Sequence, residues 1–223
     1  KYPHQTSWGM STRIIGAIIM AHGDDNGLVL PPAVAPVQVV ILPIAQHKPG
    51  VLDKAEELRA RLSKTVRVKL DASDNSAGWK FAEYEMKGVP LRLEIGPKDI
   101  ENNQCVLVRR DNREKTFVSL DELEAAIPAL LQSVHDGLYQ KALARRESMT
   151  YTAASFEELQ DIAQSRPGLI KAMWCGDEAC ELRVKEEAGL TSRCMPFEQE
   201  RIGDVCPICG RPATTSIIWG RAY

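Results

Sequence analysis

Apolar positions along the chain fall first into one helix-period stretch, then into short runs that alternate with amphipathic helices. Ile14, Ile15, Ile18 and Ile19 share one face of a helix predicted from just after Ser11 to His22, and Ala17, Met20 and Ala21 make its other side apolar too. A helix apolar all round belongs inside a large core, and little chain precedes this one to build such a core. The pattern predicts that residues 1–36 are the last piece of a larger domain. His22-Gly23-Asp24-Asp25-Asn26-Gly27 reads as a turn-rich stop, and Pro31, Pro32 and Pro36 as a linker.

Beyond residue 36 the period changes. Val37–Ile44 is a continuous apolar run, as expected of a strand buried on both faces. Val51, Leu52, Ala55, Leu58 and Leu62 mark an amphipathic helix over 51–62. Strands are predicted at 65–70, 91–95, 104–110 and 115–119, with a short helix at 78–87 stopped by Gly88 and Pro90. A long helical region follows from about Asp121 to Ser148, with Pro128 as a break or the first residue of a second helix. This spacing predicts an α/β domain with a mixed sheet flanked by helices, over 37–149 when the long helix is included. A smaller α+β domain is predicted over 150–223, with helices at 156–164 and 179–187 and strands at 169–174 and 214–219.

Composition narrows the function classes. Apolar content of 44% and charged content of 26% are those of a globular protein, and a net charge of −2 gives no global attraction to nucleic acid, so any RNA contacts must be local. No apolar run reaches the roughly 20 residues of a membrane span, so no membrane partner is expected. Six cysteines, four of them closely paired, favour a reducing compartment and a cytoplasmic protein.

Those four carry the strongest chemical signal. Cys175 and Cys180 have four residues between them, and Cys206 and Cys209 have two, in Cys206-Pro207-Ile208-Cys209-Gly210. Two thiol pairs flanking a short fold suit a tetrahedral, closed Zn²⁺ site whose role is structural. Disulfides or unconnected buried thiols are the bland alternatives, and a redox dithiol is weaker, because Cys206 and Cys209 sit in a turn-like Pro/Gly context outside a βαβ unit. Cys105 is expected to be a small core residue, and Cys194 breaks the pairing.

Three stretches together resemble prolyl-tRNA synthetase of the type shared by eukaryotes, archaea and some bacteria. Thr6–Ala17 with His22–Pro32 resembles the third signature motif of class II synthetases. Gly78–Arg92, running on to Gly96-Pro97-Lys98-Asp99, resembles the anticodon-binding domain. The cysteine quartet with Gly220-Arg221-Ala222-Tyr223 resembles the zinc domain that ends these enzymes. Two further catalytic signatures are not in the chain, so the resemblance is to the C-terminal half only, with a remnant of the catalytic domain over 1–36.

The resemblance implies proline–tRNA ligase activity for the full enzyme, with L-proline, ATP, Mg²⁺ and tRNA(Pro) as its partners and a homodimer as its state. The half alone is expected to be inactive. It implies that Arg13, in the first turn of its helix, contacts ATP phosphate, with Ser7, Gly9 and Ser11 on the substrate side. It also implies anticodon contacts from Glu85, Arg92, Lys98 and Asp99. Proline anticodons carry two adjacent guanines, and reading them needs carboxylates to accept and cations to donate. Without the resemblance these charges read as a solvated rim, and Phe81 and Tyr84 as core aromatics. Arg109, Arg110 and Arg113 flank the predicted hairpin and are candidates to meet phosphate. A stand-alone zinc-stabilised RNA- or protein-binding module is the competing reading.

Overall fold

A computed structural model describes residue 3 and residues 5–221, in two compact units that divide after Ala142. In the first, α1 (Arg13–His22) precedes β1 (Val39–Pro43), α2 (Val51–Leu62), β2 (Val68–Leu70), α3 (Ala77–Met86), β3 (Leu91–Ile95), α4 (Pro97–Glu101), β4 (Gln104–Arg109), β5 (Lys115–Ser119) and α5 (Leu123–Ser148), whose last turns lie past the division. The sheet order is β2-β1-β3-β4-β5. β1 runs parallel to β2 and β3, while β3–β4 and β4–β5 are antiparallel. This is the mixed α/β sheet that the sequence predicts.

All five residues of β1 are buried, because α2 and α3 cover opposite faces of it. Ala55, Leu58 and Leu62 of α2 join Val39, Ile41, Leu91 and Leu93 in the larger core. Tyr84 of α3 packs with Val40, Leu42 and Val89 on the other face. Alternation of helix faces about a strand is what right-handed crossovers to its left and right require. Cys105 lies in the larger core, as expected.

Several elements differ from their sequence reading. β2 is only three residues long, since Val66 is held by the end of α2, its N–H donating to the Leu62 carbonyl at 3.1 Å. Residues 97–101, for which the sequence predicts no element, form a short helix with Pro97 at its start and Asp99 closing its N-terminus. Pro128 neither breaks nor starts a helix but lies inside α5. A proline there removes one intrahelical bond, and burial of Leu123, Ile127, Leu131, Val134 and Leu138 along one face holds the helix continuous.

α1 behaves unlike every other long helix of this unit: none of its residues is buried, and Ile14, Ile15, Ile19 and Met20 stand exposed. The chain after it docks at once. Val29 and Ala35 are buried, and the Leu28 and Leu30 N–H groups donate to the Met86 and Gly88 carbonyls at 2.9 and 3.3 Å. Gly27, at φ 126°, passes so close that a Cβ would lie 2.6 Å from the Met86 backbone.

In the second unit β6 (Thr150–Thr152), α6 (Phe156–Ser165), β7 (Leu169–Trp174), α7 (Glu178–Ala188), β8 (Leu190–Cys194) and β9 (Thr215–Arg221) form a four-stranded sheet of order β6-β7-β9-β8. Only β6–β7 is parallel. Leu159, Ile170, Ala172, Val184, Ile217 and Trp219 make its core together with Cys180 and Cys206. β6 and β8 escape the sequence reading because both are short edge strands of mostly polar residues. Among the described residues no helix is long and apolar enough to cross a membrane. Tyr223 lies outside the described residues.

Candidate functional site

The four paired cysteines converge. The metal-binding atoms of Cys175, Cys180, Cys206 and Cys209 all lie within 4.8 Å of one another. β7 delivers Cys175 at its end. Asp177 caps α7 by accepting the Ala179 N–H at 2.9 Å, which places Cys180 in the first turn. Cys206 and Cys209 sit in a tight turn in which the Gly210 N–H donates to the Cys206 carbonyl at 2.8 Å, with Gly210 at φ 75°.

The spacing discriminates between the chemistries left open by the sequence. Cys175 Sγ lies 3.7 Å from Cys180 Sγ and 3.6 Å from Cys209 Sγ. A disulfide requires about 2.05 Å. Four thiolates at about 2.3 Å from one zinc ion stand about 3.8 Å apart along a tetrahedron edge. The donor set fits such an ion, and the cluster can hold a metal. Cys194 is exposed on β8 and is not one of the group.

Burial pushes the Cys180 thiol up to about 12 and raises that of Cys206 as well, whereas the Arg211 guanidinium holds exposed Cys209 down at about 6. A divalent cation would override the preference of the buried pair for their protons. Arg211 Nε donates to Cys209 Sγ at 3.4 Å and its Nη2 to Cys175 Sγ at 3.7 Å, while the same guanidinium pairs with Asp177. The sequence reading missed Arg211 and Asp177. Each lies two residues past a cysteine, on the two separate loops of the cluster.

A second set of polar groups gathers on the first unit. A cavity of about 240 Å³ is lined by Glu85, Arg92, Arg109, Arg110, Arg113 and Lys115, among others. Glu85 comes from the last turn of α3 and Arg92 from β3, so two of the predicted anticodon residues share one cavity. The Arg92 guanidinium lies over the Phe81 ring, 4.2 Å from its centre, and its Nε donates to Glu94 at 2.8 Å. Arg92 and Glu94 are two apart on a strand and so share a face. That signal was legible, yet Glu94 was not singled out.

Lys98 and Asp99 do not line this cavity. They sit in α4, where one Asp99 oxygen accepts the Gly96 N–H at 2.8 Å and fixes the turn out of β3. Arg110 is buried. It donates to both oxygens of Asp24 at 2.8 and 2.6 Å and to the Glu85 carbonyl at 2.7 Å, so it is a fastening group within the fold. The third predicted set is exposed. Ser7, Gly9, Ser11 and Arg13 precede or begin α1, where the Arg13 N–H donates to the Ser11 hydroxyl at 3.4 Å and the Ile14 N–H to the Ser11 carbonyl at 3.1 Å.

Comparison with known proteins gives these features a context. Residues 38–130, within the first unit, match the family described as anticodon binding domain. Residues 156–223 match the family described as prolyl-tRNA synthetase, C-terminal. With these two domains in this order, the chain is similar to the C-terminal half of the prolyl-tRNA synthetases. Over the whole chain it is 65% identical to Proline--tRNA ligase of Clostridium novyi and 61% identical to Proline--tRNA ligase 2 of Bacillus cereus. It is 60% identical to Proline--tRNA ligase of Clostridium botulinum. The chain spans about half, 47%, of the length of these curated relatives.

Proposed function

We propose that the first unit reads the anticodon of tRNA(Pro) and that the second is a domain held together by structural zinc, both in the service of a cytoplasmic, homodimeric proline–tRNA ligase. The observation that carries the reading is the meeting of Glu85 and Arg92 in one cavity of a domain that matches anticodon-binding domains. A guanine presents N1–H and N2–H to an acceptor and O6 and N7 to a donor, and this pair offers a carboxylate and a guanidinium. The Phe81–Arg92 stack supplies a flat surface beside them. Lys98 and Asp99 are assigned to the anticodon by the family resemblance alone, and Asp99 also sets the turn out of β3.

Residues 7–13 supply the ATP-side contacts of the ligase, with Arg13 on phosphate and Ser7, Gly9 and Ser11 near substrate. Mg²⁺, ATP and L-proline are bound with the remaining catalytic signatures, and residues 1–36 alone do not form that site. The four thiolates leave no coordination position for water, so zinc serves the fold and not the reaction.

Binding to tRNA(Pro), beside the same tRNA with either anticodon guanine replaced, tests the reading at one fixed salt concentration. A loss of ~1–3 kcal/mol for each replaced guanine is expected. Equal binding to all versions would leave only a backbone-binding module, and the assignments to Glu85 and Arg92 would fall.

A further inference from the structure

The turn between β4 and β5 grips Glu85 at two points. Arg110 Nε donates to its backbone carbonyl at 2.7 Å, and Arg113 Nη2 pairs with its carboxylate oxygen Oε1 at 3.0 Å. The turn itself is fastened. The Arg110 N–H donates to the Pro90 carbonyl at 2.9 Å, and both Nη groups of Arg110 hold Asp24. Arg113 stands in the left-handed region at φ 62°, which a residue with a side chain seldom adopts, and its N–H donates to the Arg109 carbonyl at 3.1 Å. That backbone brings its guanidinium back to the cavity that Glu85 and Arg92 line. The other arginines there are engaged elsewhere: Arg92 with Glu94, Arg109 with Asp111 and Arg110 with Asp24.

We propose that Arg113 is a specificity-determining positioning residue, which holds the Glu85 carboxylate aimed so that it discriminates guanine. The proposal rests on the anticodon reading given above. A carboxylate has room for about four donors on its two oxygens, so Arg113 on Oε1 leaves acceptor sites for both N1–H and N2–H of a guanine. A glutamate fixed before its ligand arrives loses less rotamer freedom on binding. The ion pair has 58% and 28% of its two side chains exposed, so its contribution to folding is small, and its consequence lies in aim. A bound base would cover the pair and strengthen it by excluding water.

The test compares tRNA(Pro) with versions carrying inosine, which lacks the N2 amine, in place of each anticodon guanine. The wild-type chain is expected to prefer guanine to inosine by about tenfold at the position Glu85 reads. Arg113→Gly suits the left-handed backbone and keeps the fold, yet removes the guanidinium. It is expected to reduce the preference to about twofold or less while weakening the inosine RNA little, and Arg113→Lys is expected to fall between the two. Unchanged preference in Arg113→Gly would overturn the role of Arg113 while leaving anticodon reading intact. An equal loss for guanine and inosine RNA would make Arg113 a phosphate contact, and a gain would make it a competitor of the base. Either result overturns the proposal. If the wild-type chain itself binds both RNAs equally, the anticodon reading falls first and the proposal falls with it.

Discussion

The cores of the two units are built differently. In the first, β1 is covered on both faces, and an uninterrupted core runs from Val39 and Ile41 through Leu91 and Leu93 to Ile127 and Val134. In the second, two cysteines of the cluster are themselves core residues, and the segment between Cys194 and Val205 has no regular structure. Small domains rarely gain enough from burial alone and tend to need a metal or disulfides. The first unit should therefore persist without metal, and the second should not.

Removing the metal is the strongest way to break this contrast. Thiolate–zinc sites in small zinc-finger peptides contribute about 10–16 kcal/mol of apparent binding energy, comparable to the whole stability of a domain. Chelation, or Cys206→Ser, is expected to unfold the second unit and leave the first intact. Hydrogen exchange resolved by unit, with zinc content measured in parallel, reads the outcome. Native protection of β7 and β9 in zinc-free protein would contradict it. The reverse experiment comes next in size. Leu93→Ala leaves a cavity under the sheet of the first unit, at a cost of about 2–5 kcal/mol. Denaturant unfolding should move for the first unit alone, and an equal shift in the second would show that the two unfold together.

A smaller effect belongs to the loop pairing around the cysteines. Arg211 donates to two sulfurs and pairs with Asp177, linking the loop after Cys175 to the loop of Cys206 and Cys209. Four thiolates around one dication carry excess negative charge, and an outer guanidinium offsets part of it. Arg211→Gln is expected to speed zinc loss to a competing chelator several-fold, with Arg211→Lys intermediate. Identical release rates in all three proteins would reduce this contact to a surface ion pair.

How much of this was legible beforehand differs by kind of signal. Strands and helices whose apolar residues recur with a clean period, such as 51–62, 91–95 and 169–174, come out at their structural bounds. β6 and β8 do not, because edge strands gain their order from a neighbour and carry no alternation of their own. α4 was missed because it is a five-residue helix made by Pro97 and the Asp99 cap. The cysteine cluster was readable from spacing alone, since its four ligand candidates come in two close pairs. Arg211, Asp177 and the grip of Arg113 on Glu85 were not. Each depends on a side chain reaching between segments distant in sequence, more than twenty residues apart for Arg113 and Glu85, and no local period encodes that reach.

The most delicate contact lies where the chain after α1 packs on the rest of the first unit, and it sharpens the contrast from the other side. Here an ion pair adds to a docking already secured by Val29 and Ala35 and by the backbone bonds to Met86 and Gly88. The Arg110 side chain holds the Asp24 carboxyl well below the usual carboxylate range, against the smaller opposing effect of burial. A carboxyl whose folded value is depressed contributes stability that is complete above its unfolded value of about 3.9 and is lost as pH falls towards the folded one. Asp24 is more than a third exposed, so the contribution is modest. Protection of the Leu28 and Leu30 amides is expected to weaken below about pH 4, once corrected for intrinsic exchange, while β1 stays protected. Asp24→Asn should lower that protection at neutral pH and flatten its pH dependence. If the variant keeps the wild-type profile, the pair with Arg110 is not what fastens this turn, and the backbone bonds at Met86 and Gly88 suffice.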